Sequence, residues 1–105
     1  MDRKILFTPT ADGQLTALEE SASAQAACKT VKKALGYLET NPKHPGLRTH
    51  EYSSLRGVNG EKIFEAYAQN NTPGAHRVFW HYGPDEVVKG RRMAVITIVA
   101  ITAHP

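Results

Sequence analysis

The sequence predicts an α+β fold: an N-terminal strand, two helices, then a three-stranded antiparallel meander, with the helices packed on one sheet face. Three observations carry this. Apolar residues recur at helical spacing between Leu15 and Leu38. Three runs rich in β-branched and aromatic residues follow in the second half. The first two of those runs are separated by "NNTPG" (Asn70 to Gly74), turn chemistry that brings a strand back on its neighbour as a hairpin.

Each element has its own reason. "RKILFT" (Arg3 to Thr8) is a short apolar run closed by Pro9, which suits an edge or terminal strand. Thr10 or Asp12 can cap the first helix, whose Leu15, Leu18 and Ala22 fall three or four residues apart. Ser21 to Ser23 marks a bend. In the second helix Ala27, Val31, Leu35 and Leu38 form the apolar stripe, and Lys29, Lys32 and Lys33 lie mostly off it, as a solvated face does. That helix should end near Thr40, because Pro42 disfavours helical geometry at Asn41. Three glycines and two prolines between Asn41 and Gly60 read as mostly loop. The strands of the meander are "KIFEAYAQ" (Lys62 to Gln69), "AHRVFWHY" (Ala75 to Tyr82) and "MAVITIVAIT" (Met93 to Thr102), with a polar segment from Gly83 to Arg92 before the last. The last run is apolar on both faces, so it should lie inside the sheet and be covered on both sides.

At 105 residues the chain has room for one core, and residues 1–105 read as one domain. An apolar fraction of 41% and a charged fraction of 22% fit a folded soluble protein rather than a disordered one. No apolar run reaches membrane-helix length, and the N-terminus lacks the apolar stretch of a secretion signal. A single cysteine, Cys28, allows no internal disulfide and fits a cytoplasmic location, with Cys28 as a small helix-packing residue. The net charge of +3 is compatible with nucleic-acid binding without establishing it.

Strand alternation puts Arg77, Phe79 and His81 on one face of their strand, and His76, Val78, Trp80 and Tyr82 on the other. Val78 and Trp80 suit the face under the helices, which leaves Arg77 on the more open face, where a guanidinium need not be buried. Glu65 and Tyr67 are candidates for that same face on the preceding strand, and His104 lies just past the last strand. Arginine offers a planar fork to phosphate, and histidine moves protons near neutral pH. The plainer alternative is a cross-strand ion pair between Arg77 and Glu65, with His76 and His81 as surface or packing residues. His44, His50, His76, His81 and Cys28 match no zinc spacing, so neither a metal nor another cofactor is implied. "GVNGEK" (Gly57 to Lys62) lacks the Gly-Lys-Ser/Thr ending of a P-loop.

Taken in order, these motifs resemble the RelE/ParE superfamily of toxin–antitoxin toxins over nearly the whole chain. "VKKALGYLETNPKHPGLRTH" is similar to the family's helix ending in L-x-x-N-P and then G-L-x-x-H. "AHRVFW" is similar to its strand with an arginine before apolar residues, and "VITIVAITAH" to its last strand. The resemblance implies a RelE-like fold and a cytoplasmic type II toxin held inactive by a cognate antitoxin. RelE-like members cut mRNA on the ribosome without a metal, the 2′-hydroxyl attacking the adjacent phosphate; ParE-like members inhibit DNA gyrase instead. Carried over by position, Arg77 matches the family's phosphate-contacting arginine, His104 its terminal acid or base, and His50 a loop histidine of the YoeB-like ribonucleases. Glu65 and Tyr67 lie where RelE has lysines. Gly46 stands about where the YoeB-like enzymes have a catalytic glutamate, and the arginine or tyrosine-bearing tail that follows the terminal histidine is replaced by Pro105.

Two functions follow as expectations. The first is a ribosome-dependent mRNA endoribonuclease, with Arg77, His104, Glu65 and Tyr67 as the catalytic set and Arg48, His50, Arg56, Lys62 and His81 as RNA contacts. Its partners would be the antitoxin and the ribosome with its mRNA, with a homodimer compatible and no membrane. The second is a non-nuclease member acting by binding, as a gyrase-type inhibitor or an inactive RelE-like domain.

Overall fold

A computed structural model describes residues 2–69 and 75–103. Strand β1 (Lys4–Phe7) leads into helix α1 (Pro9–Glu20), a short 3-10 turn at Ala22–Ala24, and helix α2 (Gln25–Thr40). A second 3-10 turn at Pro45–Leu47 precedes β2 (His50–Arg56), β3 (Lys62–Tyr67), β4 (His76–Tyr82), a small hairpin of β5 (Glu86–Val88) and β6 (Arg91–Met93), and finally β7 (Val95–Ala103). Five strands form one sheet in the order β1-β7-β4-β3-β2, antiparallel except for the β1–β7 pair.

The first helix starts two to four residues earlier than the sequence suggested. Thr8, not Thr10 or Asp12, is the cap: its hydroxyl accepts from Ala11 N at 3.2 Å, and Pro9 takes the first helical position, where its missing N–H costs nothing. The same hydroxyl donates to Val99 O at 3.2 Å, tying the helix start to β7. Gln14 Oε1 accepts from Ile101 N at 2.6 Å and makes a second tie. The bend falls at Ala22–Ala24 and α2 stops at Thr40, both as the sequence predicts.

Both helices lie on one face of the sheet. Leu18, Cys28, Val31, Ala34 and Leu38 pack against Ala66, Val78, Trp80, Ile96, Ile98 and Ile101, with Ala27 and Leu35 half-buried at the border. Burying each of the larger apolar side chains stabilises the fold by roughly 1.5–3 kcal/mol. Cys28 is buried among them, as a packing residue should be.

Three expectations are corrected. The segment read as loop contains β2, which makes the meander four strands in sequence order with β7. β2 escaped notice because "HEYSSLR" is an edge strand whose side chains are nearly all exposed, so no apolar alternation marks it. The polar segment before the last strand holds the β5–β6 hairpin, which turns through Lys89 and Gly90 at φ of 52° and 78°, the left-handed geometry of a tight hairpin. β7 does lie inside the sheet, between β1 and β4, but the helices cover only one of its faces. Thr97, Ala100 and Thr102 on the other remain half-buried. The "NNTPG" turn and His104 lie outside the described residues, although β3 and β4 on either side of the turn pair antiparallel as expected.

Candidate functional site

The face of the sheet away from the helices gathers the charged residues by register alone. Tyr67 pairs with Arg77 and Glu65 with Phe79 across β3 and β4, and His50 pairs with Glu65 across β2 and β3. Residues two apart on a strand share a face, so His50, Glu65, Tyr67, Arg77 and Phe79 stand together.

Their contacts form a chain from solvent to interior. His50, 48% exposed, has Nε2 2.7 Å from Glu65 Oε1. Glu65 is 1% exposed, and its Oε2 lies 3.9 Å from Arg77 Nε. Arg77, also 1% exposed, lays its guanidinium over the Tyr67 ring at 4.0 Å and donates from Nη1 to the carbonyls of Ala75 and His76 at 3.1 and 3.3 Å. The Tyr67 ring in turn meets the His50 ring edge-on at 5.9 Å. A buried carboxylate with a guanidinium on one oxygen and an imidazole on the other keeps its charge compensated, which is what burial demands.

This corrects the expectation that Arg77 stays on an open surface. The face lacks helices, but the Tyr67 ring covers the guanidinium at 4.0 Å, Glu65 lies beside it, and its strand sits in the middle of the sheet. Of the two readings open at the sequence level, the cross-strand ion pair is the one the geometry contains. His81 is likewise buried, at 3% exposure, with Nδ1 3.0 Å from Tyr82 O; it is a packing residue and not a surface RNA contact.

The remaining cations divide into two groups. Arg48, held at φ 48° at the end of the second 3-10 turn, lines a groove of about 370 Å³ with Thr30, Gly46, Tyr67 and Gln69, beside His50. Arg56 and Lys62 pair with each other at the far end of β2, roughly 20 Å from His50 at the ordinary rise of a strand. The structure therefore assembles His50, Glu65, Tyr67, Arg77 and Arg48 and leaves Arg56 and Lys62 apart. Gly46, where a carboxylate was absent from the expected pattern, lines the groove as well. A Cβ there would come within 3.0 Å of the His44 ring.

The two groups whose proton affinity is clearly displaced lie off this site. Backbone N–H donors, from Glu61 itself and from Asn59, hold the Glu61 carboxyl below its usual range in the β2–β3 turn. The hydrogen bond and charge of Glu19 raise Lys32 between the two helices. Among the described residues no three His, Cys, Asp or Glu side chains gather as metal ligands, and no helix is long and apolar enough to cross a membrane.

What the arrangement offers chemically is an exposed imidazole oriented by a buried carboxylate, near a groove that Arg48 lines. Nε2 faces the Glu65 carboxylate and Nδ1 lies 3.4 Å from the Arg48 carbonyl, so acceptors on both edges fix the orientation of a ring suited to proton transfer. Sequence reasoning placed His50 among the RNA contacts and missed its direct bond to Glu65. The missing signal was β2 itself, since only the β2–β3 register brings the two together.

No protein-family model matches this chain, and no curated protein matches it. Among solved structures, the YoeB dimer from Staphylococcus aureus is similar in fold, with a TM-score of 0.59 over 100% of both chains at 13% identity.

Proposed function

We propose that this chain, built on the fold it shares with YoeB, is the toxin of a type II toxin–antitoxin pair that cleaves mRNA without a metal. The single observation that carries the reading is the 2.7 Å contact between exposed His50 and buried Glu65 on the open sheet face. In the reaction, the RNA phosphate sits in the groove beside Tyr67, with Arg48 offsetting its charge. His50 Nδ1, turning from the Arg48 carbonyl 3.4 Å away, takes the proton from the 2′-hydroxyl, whose oxygen attacks the adjacent phosphorus. The bond to the 5′-oxygen breaks, leaving a 2′,3′-cyclic phosphate, and the 5′-oxygen receives a proton. His104, carried over from the family resemblance, is the candidate acid for that last transfer. Glu65 orients the His50 ring, and Arg77 holds Glu65 in place. Both are positioning residues, a change from the phosphate-contact role expected for Arg77. The antitoxin and the ribosome with its mRNA are the proposed partners. The similar structure is a dimer, which makes a homodimer the assembly to look for.

One observation favours the second reading, a member that acts by binding alone, as a gyrase-type inhibitor or an inactive RelE-like domain. Arg77 is buried, so its guanidinium is not presented to a phosphate. The test is cleavage of a reporter mRNA in a translation extract. Wild type should cut, His50→Ala should lower the rate about 10²- to 10⁴-fold, as loss of a general base does, and Lys62→Ala should leave it within a few-fold. A wild-type protein that arrests growth but cuts no mRNA establishes the binding reading instead.

A further inference from the structure

The β5–β6 hairpin stands on a fixed base and leaves its tip free. At the base, Asp85 Oδ1 accepts from Val95 N at 3.1 Å, the Thr97 hydroxyl donates to Gly83 O at 2.8 Å, and Lys4 pairs with Glu86 at 2.9 Å. Beyond the base, every residue from Val87 to Met93 is exposed, so both faces of the ribbon meet solvent. Val87 is 73% exposed and Val88 47%, and the core does not account for either. A two-stranded ribbon this short also gains little stability by itself.

Its cations point in three directions. Lys89 sits in the turn, at the tip. Arg91 and Arg92 are successive strand residues, so they project from opposite faces. The register puts Val88 beside Arg91 and Val87 beside Arg92, and Met93 shares the face of Arg91. The acids at the base are engaged with Lys4 and the Val95 amide. Among the described residues, no ion pair joins Lys89, Arg91 or Arg92 to a carboxylate. Each face thus presents a guanidinium beside an apolar side chain, and the tip presents an ammonium.

A flat anionic surface can meet one face or the tip, but not all three together. A groove with phosphates along both walls can. Three residues per strand reach roughly 10 Å, and side chains make a ribbon about 10 Å thick. The major groove of B-form DNA is about 12 Å wide and about 8.5 Å deep, and it admits a two-stranded ribbon. In an RNA duplex the major groove is too narrow and the minor groove too shallow for such an entry. Apolar side chains beside the cations suit the DNA groove as well, where thymine methyl groups are exposed.

We propose that the β5–β6 hairpin binds duplex DNA by entering its major groove tip first. Arg91 and Arg92 meet phosphates on opposite walls, Lys89 reaches acceptors on the base edges, and Val87, Val88 and Met93 exclude water between them. This surface shares no residue with the His50 site, so it stands whether or not the chain cuts mRNA.

The test is the fluorescence anisotropy of a labelled DNA duplex of about two helical turns, titrated with the full-length protein. An RNA duplex of the same sequence and vesicles of anionic phospholipid are titrated beside it. Saturable binding to DNA is expected, about tenfold tighter than to the RNA duplex. Arg91→Ala with Arg92→Ala should weaken it about tenfold at low salt. The pair should also lower the slope of log affinity against log salt by about 2, one for each lost phosphate contact. Lys29→Ala with Lys33→Ala removes the same charge from an exposed face of α2 and should change the affinity by less than about twofold. Bulky groups on the pyrimidine C5 positions, which fill the major groove, should abolish binding. Circular dichroism confirms that each variant is folded. The proposal is overturned by an absence of DNA binding, by an equal loss in the α2 variant, or by binding that persists when the groove is filled. Binding to the RNA duplex or the vesicles as tight as to DNA overturns it too.

Discussion

Arg77 shows how much a residue's meaning depends on its neighbours. Its guanidinium and the Glu65 carboxylate are each 1% exposed, and each compensates the other's charge. Removing one member of such a pair leaves a buried charge without its partner, at about 3–5 kcal/mol. Glu65→Gln and Arg77→Met should each cost that much in urea unfolding, whereas Glu65→Leu combined with Arg77→Met should cost far less than the sum. Additive costs would show that the two do not act as a unit. Tyr67 holds the guanidinium by its ring face, so Tyr67→Phe should change stability by less than about 0.5 kcal/mol. His50 is different in kind. It is half-exposed at the start of an edge strand, so its loss should lower cleavage and, because Arg77 still compensates Glu65, cost less stability than Arg77→Met in urea unfolding.

Among the elements, α1 depends on one side chain at its start. The Thr8 hydroxyl both caps the helix and donates to Val99 O, coupling the helix to the last strand. Thr8→Ala should cost about 1–2 kcal/mol, read as a fall of several degrees in Tm. Thr8→Ser keeps the oxygen and should stay within about 0.5 kcal/mol; an equal loss in both variants would point to the methyl group and not the cap. The same residue explains the displaced helix start. Thr10 and Asp12 are good caps in isolation, but Pro9 is pre-set for the first helical position and favours the residue before it. β2 is the opposite case, an element with almost no apolar signal that exists because β3 offers it an unpaired edge.

For the molecule as a whole, the five-stranded sheet and two helices form the core, and the β5–β6 hairpin contributes little to it. Val87, Val88 and Met93 are exposed, and a surface ion pair between Lys4 and Glu86 at 2.9 Å links the hairpin to β1. Such a pair is worth about 0–1 kcal/mol. Replacing Glu86–Met93 with a short glycine-serine turn should therefore leave unfolding free energy within about 1 kcal/mol of wild type. A loss of several kcal/mol would mean that the hairpin is part of the cooperative unit. The likeness in fold to YoeB is a whole-molecule property too: it spans 100% of both chains at 13% identity.

By itself the sequence determined the two helices, their bend and their end, the strands β1, β3, β4 and β7, and the faces of β3 and β4. Each rests on periodicity or on local backbone chemistry, which act within a few residues. Tertiary structure alone decided three things: that "HEYSSLR" is a strand, that Arg77 is buried on a face without helices, and that His50 and not the arginine is the exposed end of the charged chain. All three depend on which strand pairs with which and in what register. A pairing between residues 15 positions apart, as between His50 and Glu65, leaves no trace in either segment alone.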